Sequence, residues 1–212
     1  MLCQYQSMAV KQGRYRGVSS DDRRAERRAR LLAATLEVWG REGGPTVTMT
    51  RICAEAGLTE RYFYESFSGL DAALLAVMEG IADEIADATV STLAATPGGP
   101  TDRVRASIGA FVRILTDDPR KGRVAIVESA ALDALRPRRA ELLRQFAQLS
   151  ALEARELYGS EARTDLDGQL AATMFIGGVA ELVTGWLQGA LEATPEEIVE
   201  AATANFTATA HR

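Results

Sequence analysis

The stretch T48-M-T-R-I-C-A-E-A-G-L-T-E-R-Y-F-Y-E-S-F67 decides how this chain is read. Thr48 and Thr59 each stand where a hydroxyl can cap a helix. Each is flanked by apolar residues at staple spacing, Val47 with Ile52 and Leu58 with Phe63. Between the two segments, Gly57 supplies the positive φ that a sharp turn needs. Two short helices joined by Ala56-Gly57-Leu58 form a helix-turn-helix, with Ile52, Cys53, Ala56, Leu58 and Phe63 as its small shared core. The rings of the second helix divide by face. Phe63 and Phe67, four apart, point inward, whereas Tyr62 and Tyr64 lie off that stripe beside Glu60, Arg61 and Glu65. A plainer reading stays open, in which the hairpin is only a structural part of a larger helical protein.

Outward from this stretch the pattern remains helical. Ser19 with Asp22 is a capping-box signature, and Ala25, Ala29, Leu32, Leu36 and Trp39 follow at helical spacing until Gly43-Gly44-Pro45. Ser68 with Asp71 predicts the start of a long helix striped by Leu70, Leu74, Val77, Ile81, Ile85 and Ala88, which stops at Pro97-Gly98-Gly99-Pro100. Thr101 to Leu115 is amphipathic, Asp118-Pro119 opens a further helix, and Pro137 restarts the chain into one that ends near Gly159. Asp165 to Leu191 is the most apolar run, and Thr194-Pro195-Glu196-Glu197 caps a terminal helix. The expectation is an all-α protein of about nine helices with no strand and no internal repeat.

Charge separates the front of the chain from its body. Residues 1–70 hold 11 Lys and Arg against 8 Asp and Glu, while the whole chain has a net charge of −5. From Val10 to Arg30 the count is 8 basic to 3 acidic, as expected of a front that meets a polyanion or of a solvated charged helix. The 22 arginines against 2 lysines suit phosphate forks or a GC-rich genome equally. Cys3 and Cys53 make no disulfide framework, and with one histidine, His211, no metal site and no cofactor is expected. No secretory signal and no uncharged membrane-spanning run is read, so a cytoplasmic location is expected. Nor is there a nucleophile elbow, P-loop or dinucleotide fingerprint, so the chain is not expected to be an enzyme.

Residues 48–75 resemble the DNA-binding region of the tetracycline-repressor (TetR) family of bacterial transcription regulators, and the detailed match covers about residues 23–78. The family pattern falls on Thr48, Ile52-Cys53, Ala56-Gly57, Leu58-Thr59, Tyr64 with Phe67, and Ser68 onward. What the resemblance implies is a basic arm over 1–18, a helix-turn-helix domain over 19–68, and a ligand-binding and dimerisation domain over 69–212. It further implies a homodimeric regulator, most simply a ligand-responsive repressor, on a palindromic double-stranded DNA operator; activation stays open. The rival class is a helical small-molecule-binding or enzymatic protein.

Within that frame Thr48 and Thr59 are placed to hold phosphates at helix N-termini, and Tyr64 matches a family tyrosine whose OH meets the DNA backbone. Arg61 and Tyr62 are the candidates to read base edges, Arg61 through a bidentate contact to guanine. Glu60 either accepts from a cytosine amino group or steadies the helix N-terminus, and Glu65 is expected to pair with Arg61 within the helix. Leu70 and Ser66 depart from the family, which often has a lysine and a histidine or tyrosine at these places. Both changes remove phosphate donors, and Arg14 and Arg16 of the arm are candidates to compensate in the minor groove. In the body, Phe111, Ile114, Ile126, Phe146, Met174 and Trp186, with Glu128 and Glu181 as polar anchors, are the candidates for a small-molecule effector site. Gly177, Gly178, Gly185 and Gly189 each cost a helix up to about 1 kcal/mol against Ala, unless a neighbouring helix must come close. With Ile198, Ala202 and Phe206 they are the candidate dimer interface, half of an intersubunit four-helix bundle.

Overall fold

A computed structural model describes residues 19–43 and 46–211. Arg14 and Arg16, with the rest of the expected arm, lie outside the described residues. The elements are α1 (Ser20–Glu42), α2 (Met49–Ala56), α3 (Glu60–Ser66), α4 (Leu70–Ala95), α5 (Pro100–Asp117) and α6 (Pro119–Gly122). A π-helical stretch, Arg123–Glu128, runs on from α6 into α7 (Ser129–Ala131); then come α8 (Arg136–Tyr158), α9 (Asp165–Leu187) and α10 (Pro195–Ala210). Because α6, the π stretch and α7 are continuous, the described chain is nine helical rods, as expected. Among the described residues no strand forms beyond an isolated bridge between Ala162 and His211.

The ends of the rods follow local chemistry. Ser19 and Asp22 close a reciprocal capping box on α1, and Thr194 with Glu197 does the same on α10. Asp118 caps α6 through Arg120 N, with Pro119 in the first turn. One expected cap is absent: α4 begins at Leu70 behind Gly69, and no side chain bonds its N-terminus, so Ser68 and Asp71 form no box. Leu70 is half-buried and packs on the core, and Phe67 enters it in extended backbone just before.

Packing then sets the layout. α1, α2 and α3 close on one another, α4 lies along α5, α8 lies along α9, and α10 bridges α5 and α9. One buried cluster runs from Leu31, Trp39, Ile52 and Phe63 through Leu74, Val77 and Ile81 of α4 to Val112, Leu115, Val183 and Ile198. Each fully buried large apolar side chain contributes about 1.5–3 kcal/mol, so α4 is anchored firmly at its N-terminal half. By length and composition α9 would suit a membrane crossing, but one of its faces packs against α8 and α10.

Candidate nucleic-acid interface and interior cavity

The turn between α2 and α3 is built as its sequence requires. Gly57 sits at φ 61°, ψ 38°, its N–H donating to Ala54 O and Cys53 O, and Leu58 N donates to Cys53 O at 3.0 Å. Ile52 and Phe63 are fully buried, and Cys53, Ala56 and Phe67 nearly so. Burial raises the Cys53 thiol above its usual pKa, with Glu60 adding to the shift, so it stays a packing group.

With Phe63 and Phe67 turned inward, α3 presents Glu60, Arg61 and Tyr64 outward, next to the exposed Thr59. The Arg61 side chain is 84% exposed and Tyr64 is 59% exposed. Tyr64 stands edge-on to Phe63, with ring centroids 5.8 Å apart, which fixes where its phenol points. Arg61 Nε donates to Glu65 Oε1 at 3.0 Å, the expected intrahelical pair. Thr48 Oγ1 accepts from Arg51 N at 3.3 Å, whereas the Thr59 hydroxyl makes no capping bond.

Tyr62 is a correction. It is half-buried, with the Arg27 guanidinium 4.6 Å above its ring centroid. It belongs to the seam between α1 and α3 rather than to the outward face. The same seam absorbs much of the basic front. Arg24 donates to Glu65 O at 3.1 Å, Arg30 to Ala56 O at 2.6 Å, and Arg28 lies over the Phe67 ring. These arginines satisfy helix-end carbonyls and brace α3, a role that charge counting does not separate from polyanion binding.

In the body a cavity of about 200 Å³ lies among α4, α5, the π stretch, α8, α9 and Phe206 of α10. Of the eight effector-site candidates, Phe111, Ile126 and Phe146 line it. The other five lie elsewhere. Ile114 packs on the core, and Trp186 donates Nε1 to Ala193 O at 2.9 Å. Glu128 turns to Arg123 at 3.1 Å, while Met174, 76% exposed, and Glu181 face outward from α9. Sequence reasoning missed the wall from α4, notably Met78, Ile85, Thr89 and Leu93, and the α8 face from Arg139 through Leu142 to Glu153. A signal was available. Positions 139, 142, 143, 146, 149, 150 and 153 form one continuous stripe, broken in polarity only at its ends and at Ser150.

The π stretch touches both regions. Ala125 and Ile126 line the cavity, while Arg123 Nη1 donates to Gly40 O at 3.2 Å and Arg41 O at 3.4 Å at the end of α1. Arg120 binds both Asp118 and Glu37, and its hydrogen bonds to Asp118 first and Glu37 second raise its pKa. Gly40 makes that approach possible, because a Cβ there would stand 2.6 Å from Arg120 Cβ.

The candidate dimer residues divide as well. Ile198, Ala202 and Phe206 are buried within this chain, α10 being packed on α5 and α9, so they offer no surface to a second copy. Gly189 lies beyond α9 at φ 72° and serves its C-terminal turn, and a Cβ on Gly185 would already meet Leu191. Gly177 and Gly178 are exposed, with open space where a Cβ would stand. Around them Leu166, Leu170 and Met174 of α9 and Leu152 of α8 are exposed apolar side chains. The large exposed apolar side chains here are therefore on α8 and α9, while α10 shows only small ones outward, Ala201, Ala204 and Ala208.

No protein-family model matches the chain, and no curated protein matches it in sequence. Solved structures do match it. The fatty acid degradation regulator FadR of Bacillus halodurans superposes with a TM-score of 0.73 at 18% identity, covering 88% of this chain and 97% of that one. FadR of Bacillus subtilis, solved in complex with stearoyl-CoA, gives 0.71 at 18% identity over 86% and 99% of the two chains. A TetR family transcription regulator from Marinobacter aquaeolei gives 0.63 at 22% identity over 91% and 100%. The chain has the fold of TetR-family transcriptional regulators.

Proposed function

We propose that this protein is a sequence-specific DNA-binding transcriptional regulator that acts as a homodimer and releases its operator when a small molecule enters the body. The observation that carries the reading is the division of α3. Its Phe63 side is locked in the core while Arg61 and Tyr64, beside Thr59, are left outward on a helix-turn-helix. A short recognition helix reads few bases, and a two-fold pair of half-sites one DNA turn apart supplies the missing specificity. The exposed Leu166, Leu170 and Met174 around Gly177 and Gly178 support the α8–α9 face as the dimer seam. Regulators with this fold include one solved with an acyl thioester, which supports reading the apolar cavity as the effector site.

Release requires an effector to prefer one of two conformations. Two mechanical links are available: α4, which runs from the core beneath α3 to the cavity wall, and the π stretch, which joins the cavity to the end of α1. Footprinting on the DNA upstream of the protein's own gene and its neighbours tests the function. A protected palindrome is expected, and the absence of one at any of these places would overturn the reading.

A further inference from the structure

The cavity has a long axis and two unlike ends. Its α8 wall runs from Arg139 to Glu153, on the order of 21 Å of helix, and the side chains between them include Leu142, Phe146 and Leu149. Arg139 and Glu153 are its only charged lining residues among the described ones. The nearby carboxylates that could neutralise Arg139 are taken. Arg138 donates Nε to Glu79 at 2.9 Å and Nη1 to Glu141 at 2.7 Å. Among the described residues the half-buried Arg139 guanidinium has no hydrogen-bond or ion-pair partner. A guanidinium at one end of an apolar cavity is a fork for an anionic oxygen pair.

We infer that the ligand is a linear amphiphile with an anionic head on Arg139 and an apolar chain lying along α8 towards Glu153. The inference rests on the cavity being the effector site and names the chemistry that fills it. The far end fixes the direction. Glu153 lines that end and Arg139 is the only cationic lining residue among the described ones, so an anionic head is drawn to the Arg139 end; burial first, and Glu156 second, raise the Glu153 carboxyl above its usual pKa. The remaining hydroxyls leave the long wall apolar: Thr89 donates to Ile85 O and Ser107 donates to Thr89 O. Ser150 Oγ, buried without a partner, marks the depth that the end of the chain reaches. A chain of roughly twelve to sixteen carbons covers that length. Its head is a carboxylate, or the thioester end of an acyl-CoA whose phosphates lie a pantetheine arm further out.

The test is calorimetric titration of the full chain with four sixteen-carbon probes, each below its micelle concentration: hexadecanoate, hexadecanoyl-CoA, hexadecanol and hexadecyltrimethylammonium. At least one of the two anionic probes is expected to bind about tenfold to a hundredfold tighter than the alcohol. R139Q is expected to erase that gap and R139K to restore part of it. Whichever anionic probe shows the Arg139-dependent gap identifies the source of the head. Equal binding of alcohol and anions, tighter binding of the ammonium probe, a gap that survives in R139Q, or no binding of any probe overturns the inference. Fluorescence anisotropy with the upstream DNA keeps the two readings apart. A protein that binds DNA but none of the probes loses only this inference, whereas one that binds hexadecanoate through Arg139 but no DNA loses only the regulator reading.

Discussion

Around α3, Phe63 and Ile52 are fully buried, Cys53 and Ala56 let helices approach closely, and the short α2 and α3 close on α1. Around α8 the helices are long, yet Phe111, Phe146 and Leu142 line about 200 Å³ of empty space. Interiors normally pack to crystal-like density, and the proposed function gives a reason for the difference. A surface that reads DNA must hold side chains to within fractions of an ångström, and dense packing around Phe63 supplies that. A body that takes up a ligand must forgo some dispersion contact until the ligand provides it. α4 belongs to both regions: Leu74 and Val77 sit in the dense core, and Ile85 and Leu93 wall the cavity.

The sharpest attempt to break this contrast is to hollow the dense region. Phe63→Ala is expected to cost about 3–5 kcal/mol in urea unfolding, whereas Phe146→Ala, on the cavity wall, should cost well under half as much. Equal losses would show that the two regions are packed alike. Next comes the outward face. Arg61→Ala with Tyr64→Ala should weaken operator binding by about 2–4 kcal/mol in a gel-shift titration, with helicity and oligomeric state unchanged; unaltered affinity would remove α3 from the interface. Binding should also weaken steeply with added salt, as phosphate anchoring demands.

A smaller effect is expected at the turn. Gly57→Ala places a side chain at φ 61° and 3.3 Å from Arg30 Nη2, for a loss of about 1–2 kcal/mol. A thermal melt within error of the parent would mean that the turn relaxes freely. On the outer face of the body, Leu170→Lys with Met174→Lys should convert a dimer to monomers in sedimentation while leaving the fold intact. A dimer that persists would move the seam away from α8 and α9. Least of all, Glu65→Gln should change stability by only about 0.3–0.5 kcal/mol, the scale of an exposed helix pair. It should nonetheless tighten DNA binding slightly, because it frees Arg61 and removes a carboxylate from the proposed DNA-facing side.

Legibility followed the range of the interactions. The staple of Val47 and Ile52, the αL glycine at 57 and the capping box at Thr194 act within a few residues, and each stands in the structure where the sequence places it. Tyr62 sits in the α1–α3 seam instead of fully outward because Arg27, 35 positions away in sequence, covers its ring, and no local pattern carries that pairing. Five of the eight effector candidates lie away from the cavity for a related reason. Met174 and Phe146 are equally apolar on a helix, and only the arrangement of α8 and α9 turns one to solvent and the other to the cavity.

By itself, then, the sequence determined the helical class, the order of the rods, the helix-turn-helix and the inward pair Phe63 and Phe67. Periodicity, caps and turn stereochemistry are local and are written in consecutive residues. Tertiary structure alone decided that Arg24 and Arg27 brace α3 and Arg30 the end of α2, that Ile198, Ala202 and Phe206 of α10 turn inward, and that Arg139 stands unpartnered at the end of an apolar cavity. Those outcomes depend on which helix faces which, and that is settled by the joint packing of segments far apart in the chain.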